Sequence, residues 1–499
     1  MLRRLERLGL ALALALGAAS ACSDDDGGGG GGTDADTDTD TDTDADADGD
    51  ADADGDADPG ACGFPVGGAN GAADVTADPA VTLGEREIAA MNTSGLDAGG
   101  QLVTGGPPAL AFGPCGDAGL VLWREDGDEL VRAFVDPRFG DAPANVGAAS
   151  ERHDAALFYD DACAPVLLGV GGGADLEELT GDGGGFATTA EIDLASELGG
   201  SIGSVRLLDG HAAPGGGLNV FARVSLDGEP TLVRGERAPA AGSTWSFTAL
   251  PKLEANEVFA YRVDKEGRTH ALFHDTDYPC DPCDVSLYHG RLDAPDGEWT
   301  EEVVHEGVWG PPHDELVESA DLAFDGAGNA YVAAHFTQRV ITGSYVFTEL
   351  RLFGDAGGEW CDEPITAAND GYAGADGETF TGAQPRLCVD ADDRLHLLYL
   401  DQAVWHADNM QNEVHGQLRY AFRSGGTWTR ATLLAQAGQT ESAEPLHGAR
   451  AHQIAVSPAG DEVVAAGVLH AWETASIYND TDVPATLTLT AVRADVEGP

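Results

Sequence analysis

The chain has 499 residues, with 86 Asp and Glu against 26 Lys and Arg, for a formal charge of −60. Phosphate backbones and anionic headgroups repel so acidic a chain, which argues against nucleic-acid or polybasic-type membrane partners. Its 68 Gly and 3 Met weigh against an all-α protein, because each helical glycine costs about 1 kcal/mol, while 42% apolar residues suffice for a core.

The first element is an export leader. Arg3, Arg4 and Arg7 precede an apolar run from Leu8 to Gly17 and the small residues Ala18 to Ala21. That run is too short to cross a bilayer stably, so residues 1–21 are expected to be a signal peptide. Ala19-Ser20-Ala21-Cys22 resembles the lipobox of bacterial lipoproteins. The resemblance implies that Cys22 carries lipid and anchors the mature chain to a membrane. Ser23 in place of Asp implies the outer membrane or cell surface of a Gram-negative bacterium.

Residues 22–60 follow as a linker. Asp24 to Asp26 precede six Gly at 27–32, and Asp then holds every even position from 34 to 58. With no aromatic and only like charges, this segment is expected to be a disordered, extended tether. Asp44-x-Asp46-x-Asp48-Gly49 and Asp50-x-Asp52-x-Asp54-Gly55 begin like EF-hand loops, but their twelfth positions are Gly55 and Ala61. Weak, diffuse Ca²⁺ condensation is expected there, and no cofactor elsewhere.

Residues 61–499 carry an internal repeat. Val263-Asp264-x-x-Gly267, Phe324-Asp325-x-x-Gly328, Val389-Asp390-x-x-Asp393 and Val456-Ser457-x-x-Gly460 each read as strand, tight turn, strand. Trp245, Trp299, Trp360 and Trp428 each follow a small-residue turn and mark a second hairpin in each unit. Weaker turns lie near Cys115–Gly119, Asp160–Cys163 and Asp209–Gly216, which brings the copies to seven. Seven four-stranded units predict an all-β protein, a seven-bladed β-propeller, because an isolated blade cannot bury both sheet faces. Val-Asp-x-x-Gly/Asp-x-x-His with a following aromatic (His270 and Phe273, His396 and Tyr399) resembles sialidase-like (BNR-type) propeller repeats of secreted bacterial proteins over about residues 105–495. The Asp-box proper, Ser-x-Asp-x-Gly-x-x-Trp, is absent, so the resemblance implies architecture and not activity.

An exported chain meets an oxidising compartment, where cysteines pair. Cys280-Asp-Pro-Cys283 predicts a local disulfide, because no βαβ setting or second pair supports redox or zinc chemistry. Position suggests Cys361 with Cys388, and Cys115 with Cys163 as a link between two repeats; Cys62 is left over. Gly199-Gly200-Ser201-Ile202-Gly203 matches a nucleophile elbow but lacks its α/β setting and is read as accidental. His270 and His396 hold one repeat position and are expected to hydrogen-bond a neighbouring repeat.

Arg386, Arg450, His452, His470 and Trp472 form the candidate ligand-binding group near the propeller axis, where two guanidiniums suit a carboxylate. No catalytic or metal site is assigned. The reading is a monomeric cell-envelope lipoprotein presenting a non-catalytic propeller to a glycan or protein ligand. The alternative is a polysaccharide-active glycoside hydrolase or lyase with a His/Arg site in the central pocket.

Overall fold

The structure is a computed structural model that describes residues 74–77, 81–88 and most of 109–497, apart from segments between strands. The chain divides into two units, 1–58 and 59–499, and the first lies outside the described residues, as do the leader, Cys22 and the Asp-rich segment.

The second unit is a seven-bladed β-propeller. Antiparallel four-stranded sheets span residues 109–148, 155–192, 202–249, 257–305, 313–366 and 377–434, numbered here as blades 1 to 6. Blade 7 takes Leu446–Val456, Glu462–Trp472 and Ala485–Glu497 from the C-terminal end. Its outermost position is filled from the other end of the chain: Asp74–Ala77 and Val81–Ile88 both pair with Ala485–Glu497. This closure lies ahead of the repeats read from sequence. The closing strands carry neither a turn aspartate nor a tryptophan marker, so nothing local signalled them.

Burial explains the composition of the blades. Seven apolar clusters fill the gaps between neighbouring blades, including one that joins Leu120, Leu122, Ala133 and Val135 of blade 1 to Ala466 and Ala491 of blade 7. The first strands also touch in a complete circle, so the ring closes. Second strands are covered on both faces, which is why Thr269–His274 is buried throughout and reads as a nearly continuous apolar run. Tight packing makes one glycine necessary. A Cβ on Gly169 would stand 2.7 Å from the Arg132 guanidinium, which crosses from blade 1 to reach Glu177 and the Val170 carbonyl of blade 2 at 2.6 Å each.

The repeated turn joins the first two strands of every blade. Its fourth residue has positive φ in all seven copies: Gly116, Cys163, Gly216, Gly267, Gly328, Asp393 and Gly460. Glycine and aspartate tolerate that conformation, as the sequence pattern anticipated. The leading aspartate does more than tolerate the turn. Asp264, Asp325 and Asp390 each use Oδ1 to accept two backbone N–H groups of their own turn.

The four Trp markers stand at the start of fourth strands. Trp245 donates across the blade gap to Glu178 at 2.8 Å, and Trp428 donates to Glu363 at 2.5 Å.

Cys115 and Cys163 form a disulfide between the turns of blades 1 and 2, with Cα atoms 5.9 Å apart. The Cys361–Cys388 pairing is corrected. Cys388 is a free thiol on the first strand of blade 6, and Cys361, on the fourth strand of blade 5, is disulfide-bonded elsewhere. Cys280 lies outside the described residues and Cys283 is described by backbone alone, so the 280–283 pair stays an expectation.

Candidate functional site

Two polar features meet where blades 3 and 4 adjoin. The first is a chain of charges along the first strands. Arg262 of blade 4 donates through Nη1 to Asp209 of blade 3 and through Nη2 to Asp321 of blade 5 at 2.6 Å. Asp321 also accepts the Leu387 backbone N–H of blade 6 at 2.9 Å, so one ion triad ties four blades together. Arg262 and Asp209 keep 18% and 23% of their side-chain exposure, whereas Asp321 keeps 3%. The carboxylate oxygens are occupied by donors, so the triad, two carboxylates sharing one guanidinium, is a structural clasp and not a ready acid–base pair.

His211 adjoins the triad. Its Nε2 accepts the Val263 N–H at 3.0 Å, which places the ring proton on Nδ1. Burial, reinforced by Arg262 and Arg234, holds its pKa far below the usual histidine range. The ring is a neutral donor with its lone pair already engaged, and it cannot take a proton from a substrate. Cys388 is inert for a related reason: burial pushes its thiol up to about 12.

The second feature is a groove. The same two strands run on from the triad into an open depression of about 380 Å³, lined from blade 3 by Asn219, Arg234, Glu236, Arg237, Thr244 and Ser246. The turn of blade 4, from Asp264 to Gly267, forms its other wall. The guanidinium of Arg234 serves the protein: Nε reaches Asn219 at 3.2 Å, Nη1 the Gly267 carbonyl at 2.7 Å and Thr269 at 3.1 Å, and Nη2 Glu236 at 3.0 Å. Arg237 donates to the Ser243 carbonyl and pairs with Glu178, both at 3.1 Å. Lys265 points its ammonium at the Gly326 and Ala327 carbonyls of blade 5. Asp264 is buried, which alone would raise its pKa, but bonds from His270 and Arg268 outweigh this and hold it well below the carboxylate range. The exposed charged side chains of the groove are therefore Glu236 and Glu266, 59% and 46% exposed, and Lys265, 33% exposed and 3.9 Å from Glu266. Thr244 and Ser246 add exposed hydroxyls.

The repeat histidines serve the turns. His270 and His396 place Nε2 3.0 Å from Asp264 and Asp390 of their own blades, not on a neighbouring blade as expected. Each Nδ1 meets the third strand of the same blade, at His289 (2.9 Å) and at Tyr420 Oη (2.7 Å). Only ring packing crosses the gap, His270 lying 4.5 Å from Phe324. Ser201 bonds Asp227 of the adjacent turn through N at 2.9 Å and Oγ at 3.0 Å, with no histidine among its partners, in keeping with an accidental motif.

The candidate ligand group falls on blades 6 and 7. Arg386 is half-buried on the first strand of blade 6 opposite Leu398. Arg450 and His452 lie on the first strand of blade 7, with His470 opposite Gly448 and Trp472 opposite Leu446 on the second. These four are described by backbone alone. Arg386 stands four residues before its turn residue Asp390 and Arg450 seven before Ser457. A bulge between Arg450 and Gln453 takes up one residue, so on the paired second strands the two are offset by two residues, roughly 7 Å. The backbone brings Arg450, His470 and Trp472 to one stretch of blade 7 and leaves Arg386 apart. The groove residues escaped the sequence reading because turn residues served there as punctuation; the charged end of Glu229–Arg237 was the available signal.

No family model matches the chain, and no curated protein matches it. Solved structures of similar fold include a protein of unknown function from Dyadobacter fermentans, 10% identical with a TM-score of 0.38 over 85% of this chain and 99% of that one. The polysaccharide lyase Uly1 is 10% identical with a TM-score of 0.42, covering 78% and 90%. An α-L-arabinanase of Penicillium chrysogenum complexed with arabinobiose is 9% identical with a TM-score of 0.36, covering 67% and 91%. These likenesses assign no activity. The class that the topology defines is the seven-bladed β-propeller.

Proposed function

We propose that the propeller is polysaccharide-active and receives a glycan chain in the groove between blades 3 and 4. The observation that supports this is the groove itself, an open polar trough on a rigid rim with two exposed carboxylates and two exposed hydroxyls. Sugars are recognised by such groups, and carboxylate pairs flanking a bound sugar perform glycosidic acid–base chemistry. A second reading, recognition without turnover, draws on the triad of Asp209, Arg262 and Asp321, whose carboxylate oxygens are engaged by donors and offer no free base. Lipidation of Cys22, a tether over 22–60, a cell-surface location and a sialidase-like repeat type belong to the same proposal and rest on sequence. So does a second subsite around Arg450, His470 and Trp472.

The test is a turnover and binding screen of the full chain on a polysaccharide panel, with Glu236→Gln and Glu266→Gln as variants. Cleavage lost in the variants supports the enzyme. Binding without cleavage supports the second reading, and no binding to any polysaccharide overturns both.

A further inference from the structure

Building on the glycan reading, we infer that the groove between blades 3 and 4 selects amine-bearing saccharides, such as polymers of deacetylated amino sugars, and rejects uronates. The argument is a balance of charges that remain available to a ligand. Three cations line the groove, and each is engaged by acceptors of the protein itself. Arg234 is held by Asn219, Gly267, Thr269 and Glu236. Arg237 is held by Ser243 and Glu178, and Lys265, 33% exposed, by carbonyls of the next blade's turn and by Glu266 at 3.9 Å. A uronate carboxylate entering the groove would have to displace these bonds. It would also face a chain of net charge −60. Glu236 and Glu266 stand on opposite walls, and each has one carboxylate oxygen bonded to a guanidinium, from Arg234 at 3.0 Å and Arg268 at 3.1 Å. Those bonds fix the carboxylates in place and leave acceptor capacity on each, Glu266 Oε1 lying 3.9 Å from Lys265, beyond hydrogen-bond reach. An ammonium on the sugar makes charge-assisted bonds there, while Thr244 and Ser246 meet its hydroxyls.

The experiment is calorimetric titration of the full chain with three oligomers of equal length: β-1,4-glucosamine hexamer, its N-acetylated counterpart and hexagalacturonate. The glucosamine hexamer is expected to bind about tenfold tighter than the acetylated one, and hexagalacturonate not at all. Glu236→Gln/Glu266→Gln should erase the tenfold preference. Glu254→Gln/Asp392→Asn, which removes equal charge outside the groove, should retain it. A preference that falls equally in both double variants would reduce the effect to bulk charge and overturn the inference, as would tight binding of hexagalacturonate. Ser246→Trp, which fills the groove from an exposed position, separates the two layers of argument. If it abolishes binding of the acetylated hexamer and the amine gives no advantage, the glycan reading stands and this inference fails. If no oligomer responds to it, both fail.

Discussion

Replacing Arg262 by methionine removes the clasp of the triad while keeping an unbranched side chain of similar length. Asp321, 3% exposed, then keeps its bonds from Leu387 and Leu322 but loses its counter-ion, and Asp209 loses its partner as well. Because all three groups are well shielded, the loss is expected near the level of a broken buried pair, about 3 kcal/mol. Asp321→Asn removes the same ion pair and weakens two backbone contacts, at about 2 kcal/mol. The double variant should cost about 3 kcal/mol and not the sum, a coupling of about 2 kcal/mol. Urea unfolding of the full chain, followed by tryptophan fluorescence, measures all four corners of the cycle. Additivity within about 0.5 kcal/mol would refute the claim that one ion triad holds blades 3 to 6 together.

Further predictions follow from burial and pairing. Reducing the Cys115–Cys163 disulfide, which closes a separation of 48 residues, should cost about 4 kcal/mol by chain entropy and lower the Tm of Cys115→Ser/Cys163→Ser, read by calorimetry. Burial drives His289 and His335 down to about 3. Unfolded histidine takes a proton near pH 6.5, so stability should fall as pH drops from about 6.5 towards 3. His335, whose two ring nitrogens lack hydrogen-bond partners, should lose part of that slope as His335→Leu and be no less stable at neutral pH, measured by unfolding at pH 7 and pH 4. The depressed carboxyls Asp264 and Asp390 act on the acid side, and their stabilisation is present above about pH 4 and lost as pH falls through their lower folded values. Asp390→Asn should therefore flatten the acid limb of the stability profile.

The propeller was legible because its signals are local. A turn that needs positive φ at its fourth residue takes Gly or Asp in six of seven copies, and a tryptophan at the start of the fourth strand marks blades 3 to 6 at a near-regular interval. Seven copies then dictate seven blades. What local pattern cannot carry is pairing between distant segments. The strands Asp74–Ala77 and Val81–Ile88 join blade 7 by pairing with Ala485–Glu497 from the far end of the chain, and Cys388 is a free thiol because it packs in the gap between blades 6 and 7 while Cys361 packs in the gap between blades 5 and 6. The groove was missed for the same reason. Glu236 and Glu266 become neighbours only when one blade's outer hairpin meets the next blade's inner turn. His270 and His396, expected to bond a neighbouring repeat, brace the turn aspartates of their own blades instead, a role consistent with their fixed spacing of six residues from Asp264 and Asp390.

The most direct test of the account is affinity electrophoresis of the full chain through gels carrying single polysaccharides, wild type beside Ser246→Trp. Retardation by at least one polysaccharide that disappears in Ser246→Trp is the expected result. Migration unaffected by every polysaccharide, or retardation that survives a filled groove, would contradict the assignment of the blade 3–4 groove as the glycan site.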